Sequence, residues 1–364
     1  MLSLQESEKV WLLTGVTGMD GSTACDMLLE KGYKNIHGIM RFSSTFNTEN
    51  INHIFDKLTL HYGDLTDSLN IHTIISKVRP DYIINFAAQS HVKVSHELEE
   101  YTLRVNTLGV LNILQSVRSA GLDKSCKIYQ CGTSEEYGNQ TDGSSFLTET
   151  SPKIPVSVYG VSKLAAENLC NIYRDAFGMF VVCGTLFNHE SERRGKTFIT
   201  QKITEYVAKY NACNTRLDLN VNTIQPLQLG NIYSCRDWSY SNDCVEAIYL
   251  MLMQPVPKNY IISSGTSHSV KEFVELSFRE IGIDIIWNGT GLDEKGCDSI
   301  TGEIVVEINE KYFRPIDINH LLGDSSLARK ELHWKPKTSF PQLVKKMVKN
   351  SISRFNELLL KKTY

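Results

Sequence analysis

The sequence predicts an α/β fold, a doubly wound parallel sheet with a smaller C-terminal lobe, from three observations. Over roughly the first half of the 364 residues, short apolar runs of strand length alternate with stretches of helical period. That alternation is expected of a parallel sheet covered by helices on both faces. A glycine turn, Gly15-Val16-Thr17-Gly18-Met19-Asp20-Gly21, follows the first apolar run and opens the first helix-like stretch. The later half is less regular, with Pro, Gly and Asn breaks around 220–231 and 287–302.

Strands are expected at 10–14, 35–40, 58–62, 82–86, 127–131 and 180–186, and helices at 21–32, 68–78, 106–120 and 158–177. Pro80 closes the second of these helices at Val78 or Arg79, because proline removes a backbone donor and clashes with the preceding turn. The run Ala247-Ile-Tyr-Leu-Met-Leu-Met253 is sized for a core helix and falls short of the ~18 apolar residues of a membrane span. Residues 1–185 are assigned mainly to the sheet domain and 186–364 mainly to the smaller lobe, with some segments returning to the sheet domain.

Hydrophobic residues make up 41% of the chain, charged residues 22%, and the formal net charge is −3. This balance argues against disorder and against nucleic acid as a partner. Nine cysteines without a C-x-x-C pair, and a start lacking the apolar core of a signal peptide, point to reduced thiols in the cytoplasm. No metal is called for and no membrane partner is expected.

The spacing G-x-x-G-x-x-G between strand and helix suits a Rossmann-type dinucleotide turn, where glycines let the backbone approach a pyrophosphate at a helix N-terminus. At the end of the second strand, where an acidic residue would bind a ribose 2′-hydroxyl, the chain reads Arg41-Phe42-Ser43-Ser44. Arginine and hydroxyls suit a 2′-phosphate, so NADP is favoured over NAD, the plain alternative being a solvated loop arginine. Asp64, followed by Leu65, is placed either to meet the adenine amino group or to cap the next helix.

Tyr159 and Lys163 stand four apart in a helical stretch, so both side chains leave from one face. An ammonium near a phenol favours the phenolate, which suits Tyr159 to general base work. Thr133 ends an apolar strand on the side where such sheets carry ligands. Glu135, two residues on, adds a carboxylate for a second acid–base task, most simply elimination; its bland alternative is a surface glutamate capping Tyr137-Gly138.

Together with His61-Tyr-Gly-Asp-Leu-Thr-Asp-Ser68, Ala88-Gln-Ser-His-Val-Lys93, Leu186-Phe-Asn-His-Glu-Ser191, Arg193-Arg-Gly195, Arg236-Asp-Trp238 and Arg314-Pro315, these motifs resemble the GDP-mannose 4,6-dehydratase family of extended short-chain dehydrogenases. The resemblance runs through nearly the whole chain. It implies an NADP-dependent lyase that turns GDP-mannose into GDP-4-keto-6-deoxy-mannose and water, borrowing a hydride from C4 and returning it at C6. Tyr159, with Thr133 and Lys163, would take the 4-hydroxyl proton, and Glu135 the C5 proton. Phe86, Ala87, Ala88, Gln89, Ser90 and Tyr101 would line the cofactor, with His189 and Arg194 at its nicotinamide half. Ser90, Ser134, Asn188, Lys202, Gly230, Arg236 and Arg314 would meet the sugar nucleotide. A homodimer is expected at least. The chain departs from the family pattern at Arg41-Phe42, where two arginines are usual, at Glu49-Asn50, where Gly-Arg is usual, and at Glu192, where proline is usual; the first two put a tetramer in question. The competing readings are another nucleotide-sugar 4,6-dehydratase, a 4-epimerase, which needs no elimination carboxylate, or a non-catalytic NADP sensor.

Overall fold

A computed structural model describes residues 3–140, 145–215, 224–313 and 316–362. Seven strands pair in the order Tyr260–Ile262, Phe180–Leu186, Lys127–Thr133, Tyr82–Asn85, Val10–Thr14, Asn35–Met40 and Thr59–Tyr62. Every pairing between them is parallel. Val10–Thr14 has Asn35–Met40 on one side and Tyr82–Asn85 on the other, so the strand order reverses there and a crevice opens beyond the carboxyl ends.

Alternation along each strand sorts side chains into two cores. Trp11 and Leu13 pack with Ala24, Cys25 and Leu28 of the Met19–Lys31 helix and with Val245 and Ile248 of the Ser241–Leu252 helix. Leu12 faces the other way, onto Ile71 and Ile75 of Ser68–Val78, Ile113 and Leu114 of Gly109–Ser119, and Ala166 and Cys170 of Val158–Phe177. Two segments from the later half thus belong to the sheet, Tyr260–Ile262 as a strand and Ser241–Leu252 as a covering helix.

The later half also builds a four-stranded sheet from Ile285–Asn288, Lys295–Asp298, Ile304–Ile308 and Leu227–Leu229. The helices Ile199–Thr215, Val270–Arg279 and Phe340–Lys362 share a core with it through Val207, Phe273, Val306 and Val344. Among the described residues no helix is long and apolar enough to cross a membrane.

Three elements differ from expectation in ways that shape the site. The 127–131 strand continues to Thr133, because Gly132 and Thr133 pair with Thr185 and Leu186. The helix expected at 21–32 begins at Met19, leaving Gly18 as its N-cap and Gly21 inside its first turn. Ahead of Gly109–Ser119 runs a π-helical stretch, Arg104–Leu108, a rare form that is frequent at functional sites. Inside that stretch Asn106 is turned inward and donates to the Gln89 carbonyl and to Ser162 Oγ, both at 3.0 Å. The helix before Pro80 ends at Val78, with Arg79 in the left-handed region at φ 49°.

Candidate active site

A cavity of about 1260 Å³ opens at the carboxyl ends of the central strands and is walled on its far side by the smaller lobe. The glycine turn forms its floor. Gly15 has φ 65°, and a Cβ there would come to 2.9 Å from the Ala87 nitrogen. At Gly21 a Cβ would lie 2.3 Å from the Gly15 carbonyl oxygen, so the turn closes on itself only with glycine at that position. No side chain caps the helix at Gly18, which leaves the first-turn N–H groups to a ligand, as a pyrophosphate cradle requires. The residues present therefore fit a dinucleotide.

Thr17, Gly18, Met19 and Asp20 line the cavity, while Val16 does not: it is fully buried in the core. The Asp20 carboxylate is held by His189 Nε2 at 2.8 Å and Ser241 Oγ at 2.6 Å. Burial works to raise its pKa, but His189 and Ser241 outweigh it and hold the carboxyl below its ordinary value. Burial likewise disfavours the imidazolium of His189, and Asp20 more than offsets this, so that His189 titrates above the usual histidine range. Asn50, one of the departures noted above, donates to the Thr17 carbonyl at 3.0 Å and so ties the 41–50 segment to the glycine turn. Its neighbour Glu49 accepts from Arg354 at 3.3 Å.

Arg41, Ser43 and Ser44 line one end of the cavity, and Arg41 Nη1 donates to the Tyr101 hydroxyl at 2.9 Å. Asp64 lines the cavity beside Leu65, but it does not cap the following helix; its Oδ1 accepts from the Thr66 amide and hydroxyl, and Asp67 is the N-cap. Phe86, Ala87, Ala88 and Ser90 form a wall. Gln89 is turned out of that wall, donating to Thr102 Oγ1 at 3.0 Å and to the His91 carbonyl, while its own amide is held by Asn106. Its part is to shape the loop rather than to line it.

Thr133, Ser134, Glu135, Tyr159 and Lys163 meet in this cavity. The Thr133 hydroxyl accepts from the Glu135 amide at 3.3 Å and is near enough to the Tyr159 phenol to favour its ionised form. Glu135 is 8% exposed, which excludes the surface-cap alternative; the capping carboxylate is its neighbour Glu136, which accepts from the Thr133 amide at 3.0 Å. Ser157 caps the Val158–Phe177 helix at Gly160, and Ser95 Oγ accepts from the Tyr159 amide, so the helix start is fixed from two sides. One turn on, Lys163 Nζ donates to the Cys131 carbonyl at 2.9 Å and lies 5.9 Å from the centre of the Tyr159 ring. Burial pushes the Tyr159 phenol above its ordinary value, outweighing the opposing Lys163 ammonium. The expectation that Lys163 lowers this phenol towards the range of a general base is therefore overturned, because desolvation of the buried phenolate is the larger effect.

From the smaller lobe, Asn188, His189, Arg194, Lys202, Gly230 and Arg236 reach the cavity; Arg314 lies outside the described residues. Arg194 pairs with Glu190 at 3.0 Å and sits 3.7 Å over the Phe198 ring. Glu192 accepts from the Tyr240 hydroxyl at 3.1 Å, and Arg193 pairs with Asp26 at 2.6 Å, so these two neighbours are turned away from Arg194. Arg236 is buried at 6% exposure and is aligned by the Cys235 carbonyl and Asp317 Oδ1. Sequence reading passed over Asn106, Glu136 and Asp317. None carries a motif signal; each matters through a partner distant along the chain or through the pairing of a short turn.

The model of the GDP-mannose 4,6 dehydratase family matches residues 12–347. GDP-mannose 4,6 dehydratase of Dictyostelium discoideum is 46% identical over 359 residues, covering 96% of this chain and 97% of that one. The Homo sapiens protein of the same name is 44% identical, covering 93% of this chain and 90% of its own length. Among solved structures, UDP-glucose 4-epimerase of Thermotoga maritima superposes with a TM-score of 0.77 at 22% identity, covering 96% and 99% of the two chains. The dTDP-glucose 4,6-dehydratase of Bacillus anthracis gives 0.76 at 19%, covering 96% and 98%. At such identities the structural likeness speaks for the fold alone.

Proposed function

Because the chain belongs to the GDP-mannose 4,6-dehydratase family, and is a hydro-lyase that converts GDP-mannose to GDP-4-keto-6-deoxy-mannose and water, we propose that Thr133, Glu135, Tyr159 and Lys163 carry out that conversion. The observation that carries this reading is Glu135: a carboxylate 8% exposed, in the wall of the same cavity as Tyr159 and Lys163.

Tyr159 takes the proton of the sugar 4-hydroxyl, with the Lys163 ammonium favouring the phenolate against the cost of burial. Thr133 orients that hydroxyl and the phenol together. With the C4 hydride passed to the nicotinamide that this cavity would hold, C4 becomes a ketone, which acidifies the C5 proton by giving the carbanion an electron sink. Glu135 removes that proton and passes it to the C6 hydroxyl, which leaves as water. A bound nicotinamide supplies the hydride store that makes the cycle redox-neutral. Arg236, prealigned by Asp317, and Lys202 hold the diphosphate by charge-assisted hydrogen bonds.

We assign NADP as the cofactor, supported by Arg41 with Ser43 and Ser44 at the cavity end where no carboxylate stands to accept a ribose hydroxyl from the second strand. A homodimer is part of the reading, supported by the exposed apolar residues Leu103, Leu108, Val161 and Ile172 on the 99–108 and 158–177 helical segments. So is a cytoplasmic setting, supported by nine unpaired cysteines. The test is turnover of GDP-mannose with a trace of NADP⁺: a keto-sugar should accumulate with no matching build-up of NADPH. Stoichiometric NADPH release would overturn the internal cycle.

A further inference from the structure

Beneath the catalytic turn lies a group of charges that the proposed chemistry does not use. Lys153 Nζ stands 2.7 Å from Glu136 Oε2 and 2.5 Å from Glu167 Oε2. The three side chains are only 13%, 0% and 12% exposed. None of them lines the cavity. Each comes from a different segment: Glu136 closes the Ser134–Glu136 turn, Lys153 belongs to the loop ahead of the Val158–Phe177 helix, and Glu167 lies on that helix four residues after Lys163. Glu136 spends its other oxygen on the Thr133 amide at 3.0 Å, and that oxygen lies so close to Gly132 that a Cβ there would meet it at 3.3 Å.

Burying three ionised groups is expensive, and an apolar trio of similar volume commonly serves stability as well or better. What the trio does supply is direction: one ammonium fixes two carboxylates, and one of those carboxylates fixes the strand end that carries Thr133 and Glu135. We propose that Lys153 is a positioning residue for the dehydratase reaction, locking the Thr133–Glu135 turn against the helix that carries Tyr159 and Lys163 by neutralising Glu136 and Glu167 between them. This rests on the assignment of those four residues to catalysis.

The charge balance makes the device sensitive to pH. Two carboxylates share one ammonium; burial foremost, with Glu167 adding to it, raises Glu136 to about 8 although Lys153 opposes. The other titratable groups facing the trio are Tyr137, whose ring centre lies 5.4 Å from Lys153 Nζ, and Lys163, Cys131 and Cys183. Without Lys153, the two buried carboxylates repel and the turn is held only when a proton neutralises one of them.

The test compares Lys153→Met with the wild type for turnover of GDP-mannose at about pH 7 and about pH 9.5, because without the opposing ammonium Glu136 keeps its proton to above about 8. Expected at the higher pH is a fall in kcat of about tenfold or more with KM changed by less than about threefold, partly recovered at the lower pH. The double variant Glu136→Gln with Lys153→Met keeps an oxygen for the Thr133 amide and carries no charge there; it should return kcat to within about threefold at both pH values. A Lys153→Met enzyme within about twofold of wild type at the higher pH overturns the proposal, as does a loss that is equal at both pH values and unrelieved in the double variant. If the single variant does not fold, the double variant decides alone, folded and active supporting the proposal, folded and inactive overturning it. A wild type that leaves GDP-mannose untouched would refute the catalytic assignment instead. Thermal unfolding then still tests the trio, because the melting-temperature gap between wild type and variant should widen from the lower to the higher pH, and a constant gap would refute it.

Discussion

The backbone carbonyl of Glu135 lies against Gly160, so near that a Cβ at position 160 would come within 2.6 Å of its oxygen. The elimination carboxylate and the residue after Tyr159 therefore meet at a contact that only glycine permits, and the distance between the two acid–base groups is set there. Gly160→Ala has no flexible side chain to push aside; it must move either the turn or the helix. Overpacking of this kind costs about 1–3 kcal/mol. We expect a lowered melting temperature, and a kcat loss larger than that destabilisation would explain by itself, measured at a temperature where the variant remains folded.

Glu135→Gln separates elimination from oxidation. The amide keeps the shape of the carboxylate but accepts no proton from C5, whereas Tyr159, Thr133 and Lys163 are unchanged. Cofactor affinity should match the wild type, and formation of 4-keto-6-deoxy sugar should fall by about 10²-fold or more, the usual worth of a positioned general base. Product formation at the normal rate would remove Glu135 from the mechanism.

The sheet, the glycine turn and the Tyr159–Lys163 pair were legible because each rests on local signals: strand-length apolar runs, a glycine spacing at a strand–helix junction, and side chains four apart on a helix. The burial of Glu135 was not, since sequence cannot distinguish which of two adjacent glutamates caps a three-residue turn; the structure gives the cap to Glu136. Asp64 and Asp67 posed the same ambiguity, with the cap going to Asp67. The family resemblance places Gln89 among the lining residues with Ala88 and Ser90, yet its loop bends to meet Asn106, a partner 17 residues away in a π-helical stretch that looks like ordinary helix in sequence. The raised pKa of Tyr159 depends on burial, which no spacing reveals.

Arg41 reaches the Tyr101 hydroxyl at 2.9 Å across the cavity end assigned to the 2′-phosphate. A guanidinium held in this way is already oriented and loses little freedom on meeting an anion. Its bonds to a phosphate are charge-assisted and worth roughly 1.5–3 kcal/mol. Arg41→Ala should therefore weaken NADPH binding by about tenfold or more while leaving NADH binding nearly unchanged, as read by titrating the fluorescence of each. Equal weakening of both cofactors would mean that Arg41 acts on the loop and not on the phosphate.

His189 and Asp20 join the smaller lobe to the glycine turn through one 2.8 Å contact, and their titration gives that contact a direction in pH. His189 is raised above its ordinary value, so its stabilisation is complete below about pH 6.5 and is lost as the pH rises through the raised value. Asp20 is lowered, so its share is present above about pH 4 and lost only as the pH falls through the lowered value. The pair is thus at full strength on the mildly acidic side and weakens towards the alkaline side. Glu136, raised to about 8, also makes the wild type less stable as pH rises, so the slope of the wild type alone does not isolate the histidine. The difference between wild type and His189→Asn does, because Glu136 is common to both. That difference in melting temperature should be largest between about pH 5 and about pH 6.5 and shrink above, as the imidazolium loses its proton and its charge. Parallel melting curves from about pH 5 to about pH 9 would show that the contact is an uncharged hydrogen bond and that the lobe is tethered without any titrating group.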